Sequence, residues 1–365
     1  MKKILPNHMH AVILKGHGGL EKLEYKKNII VPIPKKDELL IRVKGAGINN
    51  TDINTRIGWY SKSVVEDTNL YSESNSKNFI SDDGSWTGET LNFPIIQGAD
   101  VCGEVVDAGS NENLSRVGER VLVRTMQEKI NKNKNISCLT LGSELNGGFA
   151  QYVTIRSSEV FSIKSNWSDI ELASIPCAYS TAEGLLHRSQ VREEIVFITG
   201  ASGGVGSAAV QLAKRRGANV IAQCSKEKIQ KLKKIGVDKT ISRESNLVDE
   251  IGENSVDVVI DLVAGPKWEQ ILEILKPGGR YATSGAIAGP IVELDLRTLY
   301  LKDLTFFGCT FQPKEVFLNI IRYIENNEIQ PLVSKSYPLS EIKKAQKDFI
   351  SKNFFGKLVL IPPPG

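Results

Sequence analysis

The stretch Thr199-Gly200-Ala201-Ser202-Gly203-Gly204-Val205-Gly206 decides the fold of this chain of 365 residues. The apolar run at residues 195–199, which leads into this stretch, predicts a short buried strand. After it, apolar residues from Val205 to Ala213 recur at helical spacing, which predicts a helix that starts inside the glycine-rich turn. The stretch is therefore expected to join a strand to a helix.

A strand, a glycine-rich turn and a helix in this order form a site for the pyrophosphate of a dinucleotide. The turn fits the pattern GxGxxG with Ala201 in place of the first glycine. Gly203 allows the backbone to approach a pyrophosphate closely, and Gly206 allows the helix to pack on the strand. The alternative is a tight turn that requires glycine only for its backbone conformation.

Around this unit the sequence predicts strands alternating with helices, hence an α/β fold with a parallel sheet covered on both faces. Predicted strands cover residues 219–223, 256–263, 280–284 and 304–311, and predicted helices cover residues 226–235 and 268–275. The first part of the chain is instead β-rich, with strand-like runs at residues 39–44, 101–106 and 119–123. A chain of 365 residues is long enough for two such domains.

The end of the second α/β strand indicates which dinucleotide binds. Sites for NAD place an acidic residue roughly 20 residues past the glycines, where it accepts a hydrogen bond from the ribose 2′-hydroxyl. Here the strand ends in Gln223-Cys224-Ser225, and the basic residues Lys226, Lys228 and Arg243 follow. Basic groups attract a 2′-phosphate that a carboxylate would repel, so the sequence predicts NADPH. The alternative is that the two lysines only form the exposed face of a helix.

Composition argues against several other classes of protein. The formal net charge is +4 and the lysines are spread along the chain, without the basic stripe of a nucleic-acid-binding protein. No apolar run approaches the roughly 18–20 residues that span a bilayer, and the N-terminus shows no signal peptide, so we expect a cytoplasmic protein without a membrane partner. The five cysteines form no CxxC pair, which favours reduced thiols over disulfides.

Further stretches extend the pattern over nearly the whole chain. They are Gly45-Ala46-Gly47-Ile48-Asn49-Asn50-Thr51-Asp52, Arg56-Ile57-Gly58-Trp59-Tyr60, Gly98-Ala99-Asp100-Val101-Cys102-Gly103-Glu104, Val117-Gly118-Glu119-Arg120-Val121 and Gly147-Gly148-Phe149-Ala150-Gln151-Tyr152. In order and spacing these stretches and the glycine turn resemble the medium-chain dehydrogenase/reductase superfamily. The pattern is most similar to its zinc-free quinone oxidoreductases and enoyl reductases.

This resemblance implies a GroES-like, β-rich catalytic domain at residues 1–165, to which residues 312–365 return. It implies a Rossmann NADP-binding domain, a doubly wound parallel sheet, at residues 166–311. The cleft between the two domains would hold the nicotinamide and a small-molecule substrate. The resemblance also implies a homodimer formed through the edge of the Rossmann sheet.

The resemblance further indicates whether a metal is expected. Where zinc-containing members carry their ligands, this sequence has Asn49, Ala99 with Asp100, and Cys177. A catalytic zinc needs about three protein ligands, so we predict no metal.

Without zinc, another group must polarise the substrate carbonyl. By the resemblance this group is Tyr60, which would donate a hydrogen bond or a proton as negative charge develops on the substrate. The alternative for Tyr60 is packing between the domains. Asn49 would position the cofactor or the substrate, and Asp52 is expected to brace its loop by accepting backbone N–H bonds.

The residues expected to bind the cofactor come from five parts of the chain. They are Thr181, the turn residues Ala201, Ser202, Gly203, Gly204, Val205 and Gly206, then Ser225, Lys228 and Arg243, then Ser284, Gly285 and Cys309, and finally Lys357. The resemblance places Thr181 near the nicotinamide, and Ser284, Gly285 and Cys309 around its carboxamide.

Residues 61–92 depart from the family pattern, which has only a short loop there. This insertion is expected to form a lid or part of the substrate pocket, lined by Trp59, Trp86 or both, or else to be a surface decoration. Overall the sequence predicts a zinc-independent NADPH-dependent oxidoreductase that transfers hydride to an activated C=C bond or a quinone. The alternatives are a zinc-free alcohol or aldehyde dehydrogenase and a non-catalytic NADPH-binding protein.

Overall fold

The structure is a computed structural model that describes residues 5–69, 83–88, 90–130 and 136–364. Residues 70–82 and 89, which belong to the insertion, lie outside the described residues. Among the residues described, no helix combines the length and the apolar character needed to cross a membrane.

The described residues of the first part of the chain form antiparallel sheets and an eight-residue helix, α1 (Asn50–Ile57). Its strands are β1 (His8–Leu14), β2 (Leu23–Ile30), β3 (Glu38–Gly47), β4 (Ile95–Ile96), β5 (Cys102–Ala108), β6 (Arg120–Val123), β7 (Met126–Ile130), β8 (Ile136–Thr140), β9 (Tyr152–Arg156) and β10 (Val160–Ser162). β3 is the centre of this region, because both β5 and β9 pair with it. Its apolar residues Leu39, Leu40 and Ile41 are completely buried in the core of the domain.

The second part of the chain forms a six-stranded sheet. Its strands are β11 (Ile195–Ile198), β12 (Asn219–Cys224), β13 (Lys239–Ser242), β14 (Val256–Asp261), β15 (Leu275–Thr283) and β16 (Thr305–Gly308). The strand order is β13-β12-β11-β14-β15-β16, and every pair is parallel. The order reverses between β11 and β14, which is where an open α/β sheet binds its ligand.

Most of the remaining helices cover this sheet or connect it to the first domain, and the last one packs in the core of the first domain. They are α2 (Asp169–Leu172), α3 (Pro176–Arg188), α4 (Gly204–Arg215), α5 (Ile229–Lys233), α6 (Leu247–Ile251), α7 (Trp268–Ile274), α8 (Leu296–Leu301), α9 (Lys314–Glu325) and α10 (Ile342–Ser351). The prediction of an α/β fold with a GroES-like domain and a Rossmann domain is confirmed.

The end of the chain returns to the first domain. Strands β17 (Val333–Pro338) and β18 (Lys357–Ile361) pair in parallel, and β18 pairs antiparallel with β3. Before that, α9 packs its buried face against α3 in the Rossmann core. α9 lies within residues 312–365, which were predicted to return to the first domain, but it shares a buried cluster with the Rossmann domain. The exact domain boundaries therefore stay a prediction.

One helix end differs from the sequence prediction. The sequence predicts a helix at residues 268–275, and Pro277-Gly278-Gly279 after it is typical of a helix end, but α7 ends at Ile274 and β15 begins immediately at Leu275. The register of β14 and β15 shifts between Val256 and Val258, so the Pro-Gly-Gly segment forms a bulge inside the strand. Proline cannot donate to a ladder, and a bulge accommodates it.

Candidate active site and cofactor site

The glycine turn leaves the centre of the Rossmann sheet, between β11 and α4. Gly200 has φ +56°, a backbone conformation that favours glycine. A Cβ atom at Gly206 would lie 2.3 Å from the carbonyl oxygen of Gly200, so no larger residue fits there. The amide of Ala201 donates to the carbonyl of Gln223 at 3.0 Å, which ties the turn to β12.

The first amides of α4 are suited to an anion. Gly204, Val205 and Gly206 occupy its first turn, where backbone N–H groups have no acceptor within the helix. Ser202 to Val205 are half-buried, so a ligand can approach them. The amide of Gly356 in the returning segment donates to the carbonyl of Ser202 at 3.0 Å. These residues fit the pyrophosphate of a dinucleotide, and the turn touches the first domain's C-terminal segment.

Basic side chains gather at the far end of β12. Ser225 and Lys228 are half-buried there, and the ammonium of Lys228 donates to the carbonyl of Lys352 at 2.6 Å. Burial lowers the pKa of Lys228, with the neighbouring Arg243 adding to the effect. Arg243 itself is exposed and pairs with Glu244 at 2.9 Å. The structure therefore brings Ser225 and Lys228 together, while the side chain of Arg243 lies at the rim.

Lys352 is a residue that sequence reasoning missed. It adopts φ +56° after α10, and its ammonium donates to Asn50 at 3.2 Å and lies 4.0 Å from the ring centroid of Phe349. Burial, reinforced by the charge of Lys228, lowers the pKa of Lys352 to about 7. Two lysines from different domains thus meet here. No motif marks Lys352; the only signal was a basic residue in the segment that returns to the first domain.

The predicted carboxamide residues lie at the carboxyl ends of β15 and β16. The hydroxyl of Thr283 donates to the carbonyl of Gly285 at 3.1 Å, and the amide of Cys309 donates to the carbonyl of Thr283 at 2.8 Å. The Ser284 hydroxyl oxygen is buried without a hydrogen-bond partner among the described residues. The structure therefore brings Ser284, Gly285 and Cys309 to one edge of the sheet.

Thr181 faces the same region from α3. Its hydroxyl accepts a hydrogen bond of 3.3 Å from the side-chain amide of Gln312, a buried residue that sequence reasoning did not single out. Gln312 lies in the segment that follows β16, so this bond links α3 to the chain that leaves the sheet.

A buried network joins Asn49, Asp100 and Lys357. The Lys357 ammonium lies 2.5 Å from Asn49 Oδ1 and 2.9 Å from Asp100 Oδ2. Asn49 Nδ2 donates to the same Asp100 oxygen at 2.8 Å, and the amide of Cys177 donates to Asp100 Oδ1 at 2.5 Å. Lys357 is 3% exposed and Asp100 is completely buried. Both polar atoms of the Asn49 side chain are therefore engaged within the protein.

The stem of Lys357 also touches the cofactor turn. A Cβ atom added at Gly204 would lie 2.6 Å from Lys357 Cδ. Lys357 was expected to reach the cofactor. The structure places it between the glycine turn and the Asn49–Asp100 pair, with its ammonium directed to that pair.

Asp52 braces the start of α1 as expected. Its carboxylate accepts hydrogen bonds from the amide of Asn49 at 2.8 Å and from the amide of Gly98 at 3.2 Å. Burial raises the pKa of Asp52 to about 7, although these two bonds oppose the shift. The prediction that Asp52 accepts backbone N–H bonds is confirmed.

Tyr60 lies just after α1 and packs near two tryptophans. Its ring centroid is 5.9 Å from that of Trp59 and 5.1 Å from that of Trp86. Burial raises the pKa of the Tyr60 hydroxyl well above its usual range, and the nearby Cys177 and Asp52 act in the same direction. Tyr60 thus keeps its proton, and it lies close to the cysteine at which zinc-containing members carry a ligand.

These residues do not fit a zinc ion. They offer one thiol, one amide and one carboxylate, and that carboxylate is already paired with the Lys357 ammonium. Among the described residues, no group of three or more His, Cys, Asp or Glu side chains is arranged to hold a metal. The prediction of a metal-free site stays a prediction.

Two family models match the chain. The alcohol dehydrogenase GroES-like domain matches residues 35–165, and the zinc-binding dehydrogenase domain matches residues 204–326.

Three individual proteins extend the similarity over almost the entire chain. The structure of a protein from Sinorhizobium meliloti 1021, provisionally described as an alcohol dehydrogenase, is 39% identical, with a TM-score of 0.86 and 98% of each chain covered. Quinone oxidoreductase from Homo sapiens is 27% identical, with 97% of this chain and 98% of the relative covered. Acryloyl-coenzyme A reductase from Sulfurisphaera tokodaii is also 27% identical, with 97% of this chain and 100% of the relative covered. The chain therefore belongs to the medium-chain dehydrogenase/reductase superfamily of oxidoreductases, in its quinone oxidoreductase-like branch.

Proposed function

We propose that the protein is a zinc-independent, NADPH-dependent reductase of an activated C=C bond, as in an enone or enoyl compound, or of a quinone. The observation that carries this proposal is the position of Tyr60. Its hydroxyl keeps its proton because burial raises its pKa, and it lies close to Cys177 in the region where zinc-containing members place the metal. A protonated phenol can stabilise a developing enolate oxygen without a metal.

When bound, the nicotinamide of the cofactor supplies the hydride. As hydride reaches the β-carbon of an enone, negative charge develops on the carbonyl oxygen, and Tyr60 donates its hydrogen bond to that oxygen. The rings of Trp59 and Trp86 pack against the phenol. The side chain of Asn49 is hydrogen-bonded to Asp100 and Lys357, so its role in this proposal is to hold these two residues in place.

The relatives support both acceptor classes. Curated relatives across nearly the full chain include quinone oxidoreductases and acryloyl-coenzyme A reductases, which act on conjugated acceptors. A zinc-free alcohol or aldehyde dehydrogenase is the second candidate, because the relative of 39% identity is described as an alcohol dehydrogenase. A non-catalytic NADPH-binding protein is the third.

Product analysis separates these candidates. Chelator-treated protein is incubated with NADPH deuterated at C4 and a panel of enones, enoyl thioesters, quinones and aldehydes. Deuterium at the β-carbon of a saturated carbonyl, or formation of a hydroquinone, supports the proposal. Deuterium on a carbinol carbon would support the dehydrogenase, and tight NADPH binding without turnover on the panel would support the non-catalytic protein.

We further propose that the cofactor is NADPH, bound at its 2′-phosphate by Lys228 and Lys352. These two lysines converge at the end of β12, and both have lowered pKa values because they are buried near other cations. A dianionic phosphate between them would relieve this repulsion. Arg243 would add to the attraction from the rim.

Replacing Lys352 with methionine is expected to weaken NADPH binding about 10–100-fold, since a hydrogen bond to a charged group contributes about 1.5–3 kcal/mol. NADH binding should change less than about twofold, because NADH lacks the phosphate. Fluorescence titration with both dinucleotides measures this. Lys343→Met, on the exposed face of α10, is the matched control. Equal losses for NADPH and NADH would contradict the assignment.

The same site predicts a pH dependence. Lys352, with a pKa of about 7, is mostly neutral in the free protein at about pH 8. A bound phosphate dianion favours the protonated lysine, so NADPH binding should take up a proton and weaken as the pH rises through 7. Calorimetry in two buffers of different ionisation enthalpy detects the uptake, which should be absent with NADH and in Lys352→Met.

We propose that the protein forms a homodimer through the edge of the Rossmann sheet. β16 is one of the two edge strands, and the segment that precedes it carries large exposed apolar side chains: Ile291, Val292, Leu296, Tyr300 and Leu301. Contiguous exposed apolar residues of this kind mark interaction surfaces. Light scattering should give a dimer mass, and Leu301→Glu should shift it to the monomer.

A cytoplasmic location stays a prediction.

A further inference from the structure

The described start of the insertion crosses from the first domain to the Rossmann domain. We define the strap as residues 59–69. At its start, the indole nitrogen of Trp59 donates to the carbonyl of Glu66 at 3.1 Å. At its end, the amide of Thr68 donates to the carbonyl of Ile287 at 3.2 Å. Thr68 is only 3% exposed, so water has little access to this contact between the domains.

Ile287 belongs to a loop of the Rossmann domain, residues 284–290, that follows β15. Its other side is fixed as well: the amide of Ala288 donates to the carbonyl of Val263 at 2.9 Å, next to the end of β14. A Cβ atom at Gly265 would lie 2.5 Å from the carbonyl oxygen of Ala288, so the packing there is tight. The loop is thus held between the end of β14 and the strap.

This loop lies where a ligand is expected. Ligands of open α/β sheets bind outside the carboxyl ends of the strands, and β14 lies between β15 and β11, the strand that leads into the glycine turn. The loop also carries Ser284, whose buried hydroxyl has no partner among the described residues. A buried hydroxyl without a partner is costly, and a polar group of a ligand would satisfy it.

We propose that Thr68 is a positioning residue: through the strap it holds the loop 284–290 against the nicotinamide half of the cofactor. The proposal rests on the proposed function, since it assumes a nicotinamide dinucleotide. Thr68 acts through its backbone amide and touches no reacting atom. The position of the nicotinamide half against the Rossmann domain thereby depends on a segment of the catalytic domain.

The test compares Thr68→Pro, which removes the amide donor, with Thr68→Ala, which keeps it. Binding of NADPH is measured beside binding of 2′-phospho-ADP-ribose, which lacks the nicotinamide. In Thr68→Pro, we expect NADPH to bind about 10-fold more weakly, with 2′-phospho-ADP-ribose unchanged within about twofold. Single-turnover hydride transfer should fall by a similar factor, and Thr68→Ala should match the wild type.

Other outcomes overturn the proposal. Unchanged NADPH binding and hydride transfer in Thr68→Pro would show that the contact positions nothing. An equal effect in Thr68→Ala would assign the role to the hydroxyl. These binding measurements need no substrate, so they remain decisive even if the wild type reduces no acceptor in the panel.

A second variant covers the case in which Thr68→Pro does not fold. Thr68→Cys with Ile287→Cys allows a disulfide across the same contact, since residues joined by one backbone hydrogen bond come close enough for a bridge. The oxidised protein should bind NADPH and transfer hydride as the wild type does. If the disulfide lowered NADPH binding or hydride transfer more than about 10-fold and reduction restored it, the contact would have to open during function. That result would overturn a positioning role.

Discussion

Replacing Tyr60 with phenylalanine is expected to lower kcat about 10²–10⁴-fold, the range that a positioned proton donor contributes. The ring and its contacts with Trp59 and Trp86 remain, so NADPH binding should change little. The loss should therefore appear in kcat and equally in kcat/KM, because the hydroxyl acts in the transition state. Steady-state kinetics with the acceptor found in the panel measures both.

The pH profile gives an independent check of Tyr60. Burial raises the pKa of its hydroxyl, so the phenol stays protonated as the pH rises through the range in which an exposed tyrosine ionises. For the wild type, kcat should show no fall attributable to tyrosine ionisation near pH 10.

Tyr25→Phe is the matched control for Tyr60→Phe. The hydroxyl of Tyr25 bonds to His10 at 2.6 Å in the small sheet β2-β1-β4, and its loss should leave kcat unchanged. If Tyr60→Phe kept kcat within about threefold of the wild type, Tyr60 would be a packing residue.

Replacing Lys357 with methionine is expected to lower the free energy of unfolding by about 3–5 kcal/mol. The methionine side chain can occupy the space that the Lys357 stem fills beside Gly204. Asp100, however, is left as a buried carboxylate without a counter-ion. Asn49 also loses the donor to its Oδ1. Urea unfolding followed by circular dichroism measures the change.

Two controls define the cause of this loss. Lys357→Met with Asp100→Asn removes both charges and should recover much of the stability, because a buried pair can be replaced at little cost when neither charge is left alone. Lys335→Met breaks the exposed pair with Asp348 and should cost no more than about 1 kcal/mol. A loss in Lys357→Met no larger than that of Lys335→Met would refute the assignment of a buried, unsolvated pair.

The glycine turn and the alternation around it could be read from the sequence. They depend on contacts between neighbouring residues: the backbone freedom of Gly200, the close approach at Gly206 and the helical spacing after Val205. These patterns lie within short runs of consecutive residues. They can therefore be recognised in the sequence without knowing how distant segments pack. The braced position of Asp52 was predictable for the same reason, since one of its donors is only three residues away.

Element boundaries were less predictable. The bulge at Pro277-Gly278-Gly279 exists because β14 continues to pair with β15 on both sides of it. Proline and glycine indicate a break in either case, and only pairing with a neighbouring strand decides between the end of a helix and a bulge in a strand.

The sequence by itself determined the superfamily, the α/β architecture, the glycine turn and the lack of a carboxylate in Gln223-Cys224-Ser225 at the end of β12. Only the tertiary structure decided how the buried network of Asn49, Asp100 and Lys357 is formed. Lys357 meets Asp100 and Asn49 across 257 and 308 residues of chain, because β18 pairs with β3. Lys352 reaches Lys228 by the same return of the chain, across 124 residues. Neither contact leaves a pattern in consecutive residues, since strand pairing between distant segments sets both.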